Sequence, residues 1–157
     1  MSTLPKLRLA TRVTLALAVL TGTAAYATAN TDASSAEPRY FAFGMAVGEP
    51  TIDPNEFIIE VRDPALAERY TDIVRGNERQ PGVAFFGNVV PERAPYNEGW
   101  AFHVDPASLL PPSQTAIEVC DATPQFIEGH LAEVGGATLP GGNWCPWSMR
   151  VLREVKR

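Results

Sequence analysis

Thr115 to Trp147 reads TAIEVCDATPQFIEGHLAEVGGATLPGGNWCPW. It contains both cysteines, two of the three tryptophans and one of the two histidines. Its front, Ala116 to Cys120, is expected to be a strand. Thr123-Pro124 then offers a side-chain oxygen cap followed by proline at the first helical position, where its missing N–H costs nothing. Phe126, Ile127, Leu131 and Val134 recur at helical spacing and predict the apolar face of that helix. Gly135-Gly136 should end it. Leu139 to Asn143 is a glycine-rich turn, and Trp147 to Val155 is expected to be the last strand. The stretch has the character of a lock for a small fold.

The same grammar continues upstream. Tyr40 to Val47 and Glu56 to Arg62 are predicted strands, broken apart at Gly48-Glu49-Pro50. Asp63-Pro64 is a second cap-plus-proline start, Leu66, Tyr70, Ile73 and Val74 give a helical face, and Gly76 stops it. Val83 to Val90 and Gly99 to Val104 are expected to be strands three and four. Asp105 to Gln114, with three prolines, is a stiff connection under which Leu109 and Leu110 should tuck.

Two strings recur. Phe41-Ala42-Phe43 returns as Trp100-Ala101-Phe102, and Ile59-Glu60-Val61-x-Asp63 as Ile117-Glu118-Val119-x-Asp121. Each copy runs into a proline-started helix. The expected fold is therefore α+β: about six strands in a mainly antiparallel sheet, two helices on one face, one disulfide, and a chain divisible into two ββαβ units. Strand alternation puts Ile59, Val61, Ile117 and Val119 on one face, and Glu60, Glu118 and Cys120 on the other. It also puts Trp100, Phe102 and Val104 on one side and His103 with Asp105 on the opposite side. If strands four and five form a hairpin, His103 approaches Glu118.

The chain opens with a basic region (Lys6, Arg8, Arg12), a short apolar run from Val13 to Leu20, and Ala27-Thr28-Ala29. This is the pattern of a secretory signal peptide over 1–29, too short in its apolar run to span a bilayer. Residues 30–39 are a small, polar leader, and 40–157 is the expected single domain. Removing a leader with three basic and no acidic residues turns a formal charge of −5 into −8. Such a surface repels nucleic-acid phosphates and anionic lipid, and no membrane anchor is expected after cleavage. In an exported chain the two cysteines pair as Cys120–Cys145. Thiolate metal ligation is the alternative, but the chain has no C-x-x-C and its spacing matches no zinc signature.

Candidate chemistry is sparse. His103-x-Asp105, Glu118, and His130-x-x-Glu133 combine imidazole with carboxylate, which suits a zinc, manganese or nonhaem iron ion or acid–base work. The structural alternative is a hydrogen-bonded, half-buried histidine on the edge of an apolar face and a turn-forming aspartate before Pro106. Trp144-Cys145-Pro146-Trp147, with Trp100, offers either core packing around the disulfide or an aromatic platform for a sugar or peptide. No G-x-S-x-G, phosphate-cradling glycine loop or EF-hand occurs, and no cofactor is implied.

Trp100-Ala101-Phe102-His103-Val104-Asp105-Pro106, Ala116-Ile117-Glu118-Val119-Cys120-Asp121-Ala122, Glu128 to Gly136 (EGHLAEVGG) and Leu139 to Ser148 (LPGGNWCPWS) resemble a family of small domains. It is named after the N-terminal domain of a eukaryotic calmodulin-binding protein and includes many short secreted bacterial proteins. The likeness runs from about Tyr40 to Glu154. It implies no established activity and carries over no functional residues. The calmodulin association belongs to the founding protein, and this acidic chain lacks the basic amphipathic helix it would call for. The expected function is a noncatalytic binding or interaction role toward a protein or carbohydrate. The alternatives are a metal-assisted hydrolase using His103 and Asp105, and an inhibitor that inserts the 105–114 segment into an extracellular enzyme.

Overall fold

The computed structural model describes residues 37–45, 56–115 and 118–157. The expected signal peptide, the polar leader as far as Ala36, the Gly48-Glu49-Pro50 break and the Ala116-Ile117 start of the fifth strand lie outside them. In chain order the strands are β1 (Arg39–Met45), β2 (Phe57–Val61), β3 (Gly87–Val90), β4 (His103–Val104), β5 (Val134–Gly135), β6 (Thr138–Pro140), β7 (Asn143–Trp144) and β8 (Met149–Val155). Helix α1 (Pro64–Val74) follows β2, and the short α2 (Pro124–Gly129) precedes β5. The α+β class, the antiparallel ladders and the Cys120–Cys145 bridge are all present.

β1 is the middle strand of an antiparallel sheet in the order β2-β1-β8, with Phe41 opposite Ile59 and Phe43 opposite Phe57. Its neighbour β8 slips register between Ala42 and Phe43. Phe41, Ala42 and Phe43 are wholly buried, which a central strand of large and small apolar residues permits. α1 forms where its signals stand. The Asp63 carboxylate accepts from the Ala65 N–H at 2.9 Å, Pro64 occupies the first turn, and Gly76 lies just past the end at φ +77°. That left-handed backbone favours glycine because a Cβ crowds the carbonyl there. The buried stripe of α1 is Leu66, Ala67, Tyr70 and Thr71. Val74, expected on that face, is exposed. Tyr70 packs its ring against Phe41 and Phe43 at 5.4 and 5.3 Å, and its hydroxyl donates to the Ala84 carbonyl. Burial pushes its phenol pKa up.

A second small sheet has the order β4-β3-β7. Phe85 leads into it, and Phe85 and Trp144 meet Phe43 and Phe57 of the first sheet at ring distances of 5.0–5.3 Å. This aromatic seam is the core. Trp100, Phe102 and Val104 are all buried, as alternation requires, although only His103–Val104 is strand. Gly87 sits where β3 approaches β4 and the turn after it. A Cβ there would overlap Val104 Cγ1 and lie 3.5 Å from Leu109 Cδ1. Gly87→Ala is therefore expected to destabilise by about 1–3 kcal/mol through overpacking, read as an earlier denaturant midpoint with an unchanged slope.

The second half departs from the expected repeat. The strands divide among three small sheets, the third being a parallel pair, β5-β6. Glu118–Cys120 is a 3₁₀ turn, not a strand. There the Cys145 N–H donates to the Cys120 carbonyl at 2.7 Å, and the disulfide holds the same two residues. Val119, expected inward, is 59% exposed. β4 pairs with β3, so His103 faces Val90 across the ladder and no hairpin with Glu118 exists. α2 starts on its Thr123 cap but stops at Gly129. His130 leaves helical geometry at φ −129°, ψ 24°, and Leu131–Glu133 continue as a 3₁₀ turn. Glycine is a poor helix former, and the 3₁₀ turn keeps nearly the same apolar spacing while changing direction. Ile127 is buried, but Phe126 is exposed.

Candidate functional site

The structure gathers His103 and Asp105 around a residue the sequence did not single out. Tyr96, mostly buried, stacks at 5.2 Å on Tyr40 and meets the His103 ring edge-on at 6.4 Å. Glu60, on β2, is buried and paired with Arg62. Asp105 lies close enough to act on both Arg62 and Tyr96. Burial, then the charge of Glu60, raises the Tyr96 phenol pKa, so it stays protonated at neutral pH and cannot serve as a base there. The β2 carboxylate thus takes the place expected for Glu118.

Each member of this cluster is held by local structure. His103 Nδ1 lies 2.7 Å from the Glu92 carbonyl. A carbonyl only accepts, so that nitrogen carries the proton and donates. Asp105 accepts from the Ala107 N–H at 2.9 Å and caps the 3₁₀ turn Pro106–Ser108. His130 behaves likewise. It donates from Nδ1 to the Phe126 carbonyl at 2.8 Å and stacks on the Phe126 ring at 4.2 Å. Glu133 accepts from the Thr138 hydroxyl at 3.3 Å. Among the described residues no three His, Cys, Asp or Glu side chains gather as a metal cage. The 105–114 segment is tied down rather than projecting: Leu110 bridges Phe86, Ser113 bridges Val83, and Ser108 Oγ accepts from the Asn88 N–H. Leu109 packs on the core as expected, while Leu110 points outward.

The tryptophans part company. Trp144 is wholly buried and its indole N–H donates to the Ala122 carbonyl at 2.9 Å. Trp100 is 8% exposed and donates to the Glu56 carbonyl at 2.9 Å. Neither can form a surface platform. Trp147 is 38% exposed, and its indole has no ring or hydrogen-bond partner among the described residues. It borders a groove of about 330 Å³ lined by Gly82, Val83, Gln114, Thr115, Trp147 and Arg150. That volume is at the small end of ligand sites. The floor is rigid. Val83 packs on the Cys120–Cys145 bridge, and the Trp147 N–H donates to Asp121 Oδ1 at 3.0 Å. Gln80 clamps the start of β8 by bonding the Met149 carbonyl and the Val151 N–H.

The disulfide-locked segment, the capped helix α1 and the aromatic seam lie within residues 37–157. That span matches the model of the family named after the N-terminal domain of a calmodulin-binding protein, the family that the sequence strings resemble. The chain belongs to that family. No curated protein and no solved structure matches it. In this member of the family the residues that sequence reasoning missed are Glu60 and Tyr96 in the polar cluster, and Gly82, Gln114, Thr115 and Arg150 in the groove. Arg150 follows Trp147 by three residues as the last strand begins, a spacing that could have flagged it. Gln114 and Thr115 carried no signal, because only the Val83–Ser113 bridge brings them to the same place.

Proposed function

We propose that this chain is an exported, disulfide-locked, noncatalytic binding domain whose ligand occupies the groove beside Trp147. The carrying observation is the contrast among the three indoles: two are buried with their N–H groups satisfied, and the third stands over a groove with neither done. A large aromatic left half-exposed beside polar groups is a common anchor for a partner. Export is supported by the leader pattern at residues 1–29 and by the disulfide, which persists in oxidising compartments. The candidate acid–base groups are engaged as caps and turn braces, which favours binding over hydrolysis.

The test is chemical-shift mapping of isotopically labelled protein against a panel of neutral oligosaccharides, acidic oligosaccharides and short peptides. The expected result is movement of the Trp147 indole resonance with at least one probe class, while those of Trp100 and Trp144 hold still. Movement confined to Glu60, Tyr96 and His103 would transfer the site to the polar cluster and revive the hydrolase reading.

A further inference from the structure

The chemistry of the groove narrows the ligand, on the footing of the binding reading above. Arg39, Arg62, Arg69 and Arg153 each pair with a glutamate. Arg150 pairs with no carboxylate among the described residues. One of its guanidinium nitrogens, Nη1, donates to the Trp147 and Met149 carbonyls at 3.0 and 2.8 Å. Those bonds fix the group beside the groove and leave Nε and Nη2 uncommitted among the described residues. No acidic residue lines the groove with it. Asp121, next to Trp147, is engaged by the backbone N–H. In a chain of formal charge −5, a pre-oriented guanidinium with no counter-ion is a local inversion of sign.

We propose that the groove binds a carboxylate-bearing sugar, a uronic acid unit of an acidic polysaccharide. Three features converge on it. The indole of Trp147 offers an apolar face to the C–H face of a pyranose ring. The Gln114 amide and Thr115 hydroxyl offer donors and acceptors to ring hydroxyls. Arg150 offers two parallel N–H groups to a carboxylate, the geometry in which arginine surpasses lysine. Gly82 adds bare backbone with open space beside it, so a flat ring can approach closely. A hydrophobic peptide side chain would want a deeper apolar socket than this open groove, whose Val83 floor is itself buried.

The test is titration of the oxidised protein, followed by calorimetry and by the Trp147 indole resonance. The probes are tri-galacturonate and tri-mannuronate, the fully methyl-esterified form of each, and a short acidic peptide. The expected result is saturable binding of at least one free acid, weakened about tenfold or more by esterification and by rising salt. Arg150→Gln should match the loss on esterification, Arg150→Lys should recover part of it, and Trp147→Ala should abolish binding. Near-ultraviolet circular dichroism checks that the variants are folded, and the ester comparison needs no variant at all. Equal binding of acid and ester overturns the carboxylate assignment while leaving the groove as a sugar site. A response to the peptide alone overturns the sugar and leaves the binding reading. Silence of the groove toward every probe overturns both.

Discussion

Replacing Cys120 and Cys145 together by alanine is expected to lower the unfolding free energy by about 3–4 kcal/mol, the loop-closure entropy returned to a denatured chain cross-linked over 25 residues. Both cysteines are buried with Val83 and Phe86 against them, so alanine is preferred to serine, which would bury an extra hydroxyl. Urea unfolding followed by far-ultraviolet circular dichroism should show the midpoint falling by roughly 2 M for a slope near 1.5 kcal/mol per molar. The loss matters because domains of this size are stable by only about 5–15 kcal/mol. A loss under about 1 kcal/mol would show that hydrogen bonds alone close the loop. Those bonds are Cys145 N–H to the Cys120 carbonyl, the Trp144 indole to Ala122, and Trp147 N–H to Asp121.

How far the sequence could be read depended on whether local signals were complete. α1 was legible from cap to stop because Asp63, Pro64 and Gly76 act on their own backbone. β1 and β2 were legible because their β-branched and aromatic residues alternate along a paired strand. The repeat failed where identical letters met different surroundings. Ile59-Glu60-Val61 has β1 to pair with, whereas Glu118-Val119-Cys120 is held at its end by the disulfide and turns. Strand propensity is context-dependent, and a ladder needs a partner as well as a sequence. α2 failed at Gly129, where a regular apolar period masked a weak link.

The candidate site was legible in its residue types but not in its grouping. His103 and Asp105 share a neighbourhood, as their spacing implied, but their company is Tyr96, Glu60 and Arg62, from loops and strands far apart in the chain. His130 and Glu133 each find local partners after the helix ends. The groove joins residues around 82, 114 and 150 through backbone bridges that no local pattern announces. Trp147 alone was visible in advance, and even then as one of three equivalent tryptophans.

That equivalence is what the second large prediction breaks. Trp144→Ala is expected to cost about 3–5 kcal/mol, whereas Trp147→Ala, three residues away, should stay within about 0.5 kcal/mol. Trp144 is enclosed at the aromatic seam. It meets Phe57 and Phe85 edge-on at 5.0 Å and Phe102 at 6.0 Å, and its removal opens a cavity between the two antiparallel sheets. It also strands the Ala122 carbonyl, which the indole N–H satisfies at 2.9 Å. Trp144→Phe separates the two losses: it keeps most of the ring packing but not the hydrogen bond, and should fall between the two alanine variants. Guanidinium chloride unfolding of all three variants, read by far-ultraviolet circular dichroism, orders them. Equal losses for the two alanine variants would mean that Trp147 carries core packing, and the assignment of its indole to a ligand would go with it. A large loss at 144 beside a negligible one at 147 leaves Trp147 with no structural task that accounts for a tryptophan, and ligand binding as the task that does.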